Sequence, residues 1–158
     1  MFDKILIPLD GSKVGEAALP VVNKLIDKMK PGTQVEIFLI GVITLLRHWV
    51  VVGEASAPVS YTEDELKLIK ERVADNLAQI AEQIKRPNVT VKTIVSAGSA
   101  SDEILKAADD IKADLIAMST HGRSGLRRLA FGSITDKVLH GSRIPVLMVR
   151  AAEGTKNE

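Results

Sequence analysis

The chain contains no cysteine among its 158 residues, which excludes a disulfide framework, a cysteine-based zinc site, an iron–sulfur cluster and a thiolate nucleophile. Aromatics are also scarce, with one Trp and one Tyr, so there is little surface on which bases could stack. Neither sign of charge dominates: 21 Lys and Arg stand against 20 Asp and Glu, a net +1. No whole-molecule field is therefore available to hold nucleic acid or an anionic membrane. The longest uncharged apolar run, Ile37 to Leu46, is far short of the roughly 20 residues that span a bilayer. The amino terminus sets Asp3, Lys4 and Asp10 around a very short apolar run, which is not the layout of a signal peptide. A cytoplasmic protein with neither a membrane nor a nucleic-acid partner is expected.

What is present fits one globular domain. A content of 46% hydrophobic and 26% charged residues lies outside the disordered and low-complexity classes, and the length suits a single core. The domain is expected to run from residue 1 to 150, with a polar tail over 151–158. Charge is unevenly spread. Between Leu115 and Arg150, six basic residues (Arg123, Arg127, Arg128, Lys137, Arg143 and Arg150) face one acid, Asp136. A local positive excess in an otherwise acidic chain suits an anion site, and equally a solvated surface.

Apolar periods alternate along the chain. Ile5, Leu6 and Ile7 predict a first strand stopped by Pro8. Val14, Ala17, Ala18, Val21, Val22, Leu25, Ile26 and Met29 draw a helical stripe, with Ser12 as its cap and Pro31-Gly32 as its stop. Gln34 to Val42 predicts a second, doubly covered strand. Thr44 to Ser60 shows no clear period, and an unstructured connection of this length is uncommon unless it is a lid, an interface loop or mobile; Trp49 and Val50 to Val52 within it are expected to pack against the domain's own surface rather than to form a lid or partner contact. Thr62-Glu63-Asp64-Glu65 has the pattern of a capping box and opens a long helix. Val89 to Val95, Leu115 to Met118 and Pro145 to Val149 predict three more strands, with helices between them. Five strands alternating with four helices, and no hairpin between consecutive strands, predict a doubly wound α/β domain. Its single, mainly parallel five-stranded sheet would carry helices on both faces.

In such sheets ligands bind at the carboxyl ends of the strands. Two segments stand out there: Pro8-Leu9-Asp10-Gly11-Ser12 after the first strand, and Met118 to Gly125 after the fourth, with Gly132-Ser133-Ile134-Thr135 opening the next helix. Glycines, hydroxyls and a helix N-terminus together suit a phosphate. The alternative is turn chemistry, with Ser133 and Asp136 forming a capping box. Asp10 could accept from a ribose hydroxyl or cap the helix with Ser12. Neither a P-loop nor a G-x-G-x-x-G fingerprint occurs. His48, His121 and His140 show no ligand spacing, so no protein-held metal is expected.

KILIPLDGSKVGEAAL, STHGRSGLRRLAFGS and PVLMVR carry a resemblance to the universal stress proteins that extends from Lys4 to about Arg150. The family's nucleotide pattern is Gly-x-x-Gly, nine residues, then Gly-Ser or Gly-Thr. This chain has Ser119-x-x-Gly122, nine residues, then Gly132-Ser133. The resemblance implies a Rossmann-like fold, similar to the adenine nucleotide alpha hydrolases, that binds ATP, AMP or ADP. Pro8, Leu9, Asp10 and Val42 would line adenine and ribose, while Met118, Ser119, Gly122, Gly132, Ser133, Ile134 and Thr135 would surround ribose and phosphates. Arg123 joins this set on electrostatic grounds. Mg²⁺ could arrive with the nucleotide and use Asp10 or Ser133. The resemblance further implies a homodimer through the last strand, Ile144 to Arg150, and a stress-response regulator with at most weak ATPase activity. Two alternatives are a slow ATP hydrolase using His121 and a nucleotide-free interaction protein in which the side chain of Ser119 closes the site.

Overall fold

Ile5, Leu6 and Ile7 are fully buried because β1 (Lys4–Pro8) runs through the middle of the sheet. The computed structural model describes residues 2–44, 48–52, 55–59, 61–120 and 132–151. Its other main-sheet strands are β2 (Val35–Ile43), β5 (Val89–Ala97), β6 (Leu115–Thr120) and β7 (Val146–Arg150). They lie in the order β5-β2-β1-β6-β7, and every adjacent pair is parallel. Parallel neighbours need crossover connections, and the helices α1 (Ala18–Asp27), α2 (Glu63–Ile84), α3 (Ala100–Ile111) and α4 (Ser133–Gly141) supply them. The predicted doubly wound α/β fold is the one observed.

Alternation along the strands divides the core into two layers. Ile5, Ile7, Ile37, Leu39 and Ala117 pack with Ala18, Leu19, Val22 and Ile26 of α1 and with Leu77, Ile80 and Ala81 of α2. The opposite sides of the same strands, at Leu6, Phe38, Ile40, Ile116 and Met118, pack with Ile104, Ala107 and Ala108 of α3 and Val138 of α4. Each of these large side chains is worth about 1.5–3 kcal/mol when fully buried. Burial on both faces explains why β1 and the end of β2 read as continuous apolar runs.

Two local readings need correction. The first helix does not begin as an α-helix at Val14: a single 3₁₀ turn, Gly15–Ala17, precedes α1. Pro20 accounts for the shift. Inside a helix begun at Val14 it would remove an i→i−4 bond, whereas as the third residue of α1 its missing N–H would have been an orphan donor in any case. Nor is the chain between Thr44 and Ser60 without structure, since β3 (His48–Val52) and β4 (Ala55–Val59) pair antiparallel as a separate hairpin. Gly53 and Glu54, which separate these strands in sequence, lie outside the described residues. The expectation of no hairpin between consecutive strands holds for the main sheet and fails here.

Candidate functional site

The connections from β1 to β2 and from β2 to β5 step towards one edge of the sheet; the chain then crosses back past β2 and β1 from β5 to β6, and the step from β6 to β7 leads to the other edge. The directions diverge between β1 and β6. A crevice opens at the carboxyl ends of strands at such a switch point, and the two segments singled out in the sequence end on these two strands.

Pro8 closes β1 opposite Ile40, and Leu9, buried, donates its N–H to the Ile40 carbonyl at 2.9 Å. Asp10 follows, exposed. Its Oδ1 accepts the Ser12 N–H at 2.9 Å and the Ser12 hydroxyl at 2.6 Å, while Oδ2 has no donor among the described residues. Gly11 between them has φ +80°, a left-handed conformation that glycine adopts without steric cost. Ser12 Oγ in turn accepts the Gly15 N–H at 2.9 Å. Asp10 and Ser12 thus do hold the start of the first helix, with one carboxylate oxygen.

Val42, half-buried in β2, and Met118, buried in β6, join the core layer on the α3–α4 side. Ser119 comes next along β6 and therefore faces the opposite side, towards α1. Its hydroxyl donates to the Gly15 carbonyl at 2.7 Å and accepts the Ala18 N–H at 2.9 Å. The side chain is thus hydrogen-bonded to the start of the first helix. Gly122 and Arg123 lie outside the described residues, as does His121.

Beyond them α4 runs back towards the start of β7, which puts its N-terminus on the side of the strand carboxyl ends. Gly132 is the N-cap and makes no side-chain cap bond; Asp136 donates its backbone N–H to the Gly132 carbonyl at 2.9 Å. The anticipated Ser133–Asp136 capping box is absent, because Ser133 occupies the first helical position, one residue past the place where its hydroxyl could cap. The first amides of α4 consequently have no side-chain acceptor from the N-cap, and partial positive charge gathers there. Ser133 is exposed, Ile134 is 45% exposed and Thr135 is buried. A Cβ built on Gly132 meets no atom of the described residues within 4 Å, so none of them bars a group from approaching this backbone. Both features fit an anionic ligand.

Gly15 is the residue missed by reasoning from sequence. A Cβ there would strike Asp10 Oδ1, so a side chain at this position would push the carboxylate aside. Among the described residues, no group of three or more His, Cys, Asp or Glu could hold a metal ion, and none of the helices is long and apolar enough to cross a membrane.

Comparison with known proteins adds to this geometry. A model described as the universal stress protein family matches residues 1–150. The universal stress protein MJ0577 of Methanocaldococcus jannaschii is 30% identical, with 95% of this chain and 96% of that protein covered. Its solved structure has a TM-score of 0.65 at 98% and 99% coverage. YxiE of Bacillus subtilis, also a universal stress protein, is 27% identical over 95% of this chain and 100% of its own length. The Arabidopsis thaliana family protein At3g01520, solved with AMP bound, shares the fold at 11% identity, with a TM-score of 0.59 and coverage of 95% and 92%.

Proposed function

The chain belongs to the universal stress protein family, and from that premise we propose that it binds an adenine nucleotide, ATP or its AMP and ADP relatives, where β1, β2 and β6 end. One observation carries the reading: the strand order puts the switch point between β1 and β6, where the motif residues lie. The start of α4 combines amides without a side-chain cap and a Gly132 backbone that no other described residue crowds. A fold-mate solved with AMP bound supports the ligand class.

In this reading Pro8, Leu9 and Val42 form the apolar wall for adenine, and Asp10 accepts from a ribose hydroxyl. Met118 and Ser119 floor the site beside the ribose. The amides of Ser133, Ile134 and Thr135 hold the phosphates through hydrogen bonds and the helix dipole, with Gly132 admitting them. Gly122 and Arg123 complete the phosphate side. Mg²⁺ arriving with the nucleotide would find oxygen donors in Asp10 and Ser133. The molecule acts as a cytoplasmic stress-response regulator, a homodimer joined along Ile144 to Arg150 whose shape or contacts change with the nucleotide bound.

Titration calorimetry of nucleotide-stripped protein with ATP and AMP tests the reading. Saturable binding of one nucleotide per chain is expected, and absence of heat or of retained nucleotide at millimolar ligand would overturn it.

A further inference from the structure

The two hydroxyls beside the switch point belong to one directional chain of hydrogen bonds. The Ala18 N–H donates to Ser119 Oγ, whose own proton goes to the Gly15 carbonyl. The Gly15 N–H donates to Ser12 Oγ, whose proton goes to Asp10 Oδ1. Each hydroxyl accepts once and donates once, so neither proton is left to serve another partner. Both arms meet on the peptide groups of Gly15. That residue cannot carry a side chain without striking the carboxylate, since its Cβ would lie 2.3 Å from Asp10 Oδ1. A residue on β6, 104 positions along the chain from Gly15, is thus the clamp on the loop that carries Asp10.

We infer that Ser119 is a positioning residue for Asp10: its hydroxyl fixes the Gly15–Ala17 turn against β6 and so holds the carboxylate in place to receive a ribose. The inference rests on the adenine-nucleotide reading of the site. It assigns a function to the side chain that departs from the family's glycine, and it requires that hydroxyl rather than merely tolerating it. Ser119→Ala takes the hydroxyl away from the Gly15 carbonyl and leaves the Ala18 N–H only its local bond to the Glu16 carbonyl, so that no hydrogen bond from β6 holds the turn and it can shift together with Ser12 and Asp10. Ser119→Thr keeps the hydroxyl on a residue suited to a strand.

The experiment is AMP titration of the wild type, Ser119→Ala, Ser119→Thr, Gly15→Ala, Asp10→Ala and the Asp10→Ala/Ser119→Ala double variant, with thermal melting of each. Ser119→Ala should bind AMP about tenfold more weakly, the size of one lost hydrogen bond, and Ser119→Thr should bind within about twofold of wild type. Gly15→Ala, which displaces the carboxylate without touching Ser119, should also weaken binding, and so keeps the test alive if Ser119→Ala melts out. In the Asp10→Ala background the Ser119→Ala effect should vanish, because residues acting through one another are not additive. Ser119→Ala binding as wild type does, Ser119→Thr as weak as Ser119→Ala, or two losses that multiply in the double variant would each overturn the inference while leaving the binding reading intact. A wild type that takes up no AMP overturns the binding reading first, and the inference with it.

Discussion

Gly132 and Gly41 both lack a Cβ, but adding one should have opposite consequences. At Gly132 the backbone angles, φ −58° and ψ 151°, are open to any L-residue, and the new methyl would meet no atom of the described residues within 4 Å. Gly132→Ala should therefore leave stability within about 0.5 kcal/mol of wild type, while weakening ATP binding through contact with the approaching phosphates; Gly132→Val should abolish it. Denaturant melts run beside calorimetric titrations would separate the two effects, and a Gly132→Val variant that binds normally would remove the phosphates from this helix start. Gly41 is buried in β2, and its added Cβ would sit 2.5 Å from Val73 Cγ1 and 3.5 Å from Leu77 Cδ1. Gly41→Ala should cost about 1–3 kcal/mol by overpacking, and a Gly41→Ala/Val73→Ala pair should recover part of that loss in urea melts.

At the scale of elements, α2 shows why a cap matters when packing is thin. Of its 22 residues only Leu77, Ile80 and Ala81, all in the carboxyl half, are buried, so the first turns depend on local bonds. Thr62 Oγ1 accepts the Glu65 N–H at 3.2 Å, and Glu65 Oε2 accepts the Thr62 N–H at 2.8 Å. Thr62→Ala should cost about 1 kcal/mol, read as a lower urea midpoint. The backbone N–H of Thr62, and secondarily its hydroxyl, hold the Glu65 carboxyl below the ordinary glutamate range. A carboxyl with a depressed pKa in the folded state stabilises the fold above its unfolded pKa, and the contribution disappears as pH falls through the folded value. The gap in urea midpoint between wild type and Glu65→Ala should accordingly be widest near neutrality and close below the ordinary carboxylate range; a gap independent of pH would argue against the carboxylate as its source. This box was legible in the sequence because Thr-x-x-Glu is a local pattern, as was the 3.6-residue stripe behind it. The hairpin was not. His48–Val52 reads as an apolar run without alternation, and Pro58, opposite Trp49, demotes the second strand. The clamp at Ser119 was equally hidden, because its partners are more than a hundred residues away; only the alternation of Met118 and Ser119 about β6 signalled which way that side chain would face.

At the scale of the whole molecule, the sheet has two edges of different character. The outer strand β5 carries Lys92, paired with Glu36 on β2, and a charge in mid-strand discourages further pairing. The other edge, β7, offers Val146, Leu147, Met148 and Val149, all half-buried and none charged, before Arg150. The proposed homodimer would use the β7 edge, where a two-fold axis would pair the strand with its own copy antiparallel. The register identifies which groups are available. Pro145 accepts from Ile116 and Ala151 donates to Thr120, so in a parallel ladder the odd-numbered residues direct their peptide groups towards β6, and Val146, Met148 and Arg150 direct theirs outward. Met148→Pro would delete a central outward N–H while sparing the bonds to β6, a setting in which a strand tolerates proline. Sedimentation velocity should then find a dimer for the wild type and a monomer for Met148→Pro, with the proposed adenine-nucleotide binding retained because the residues assigned to it belong to one chain. A wild type that sediments as a monomer at tens of micromolar, or a Met148→Pro variant that remains dimeric, would place the subunit contact elsewhere or remove it altogether.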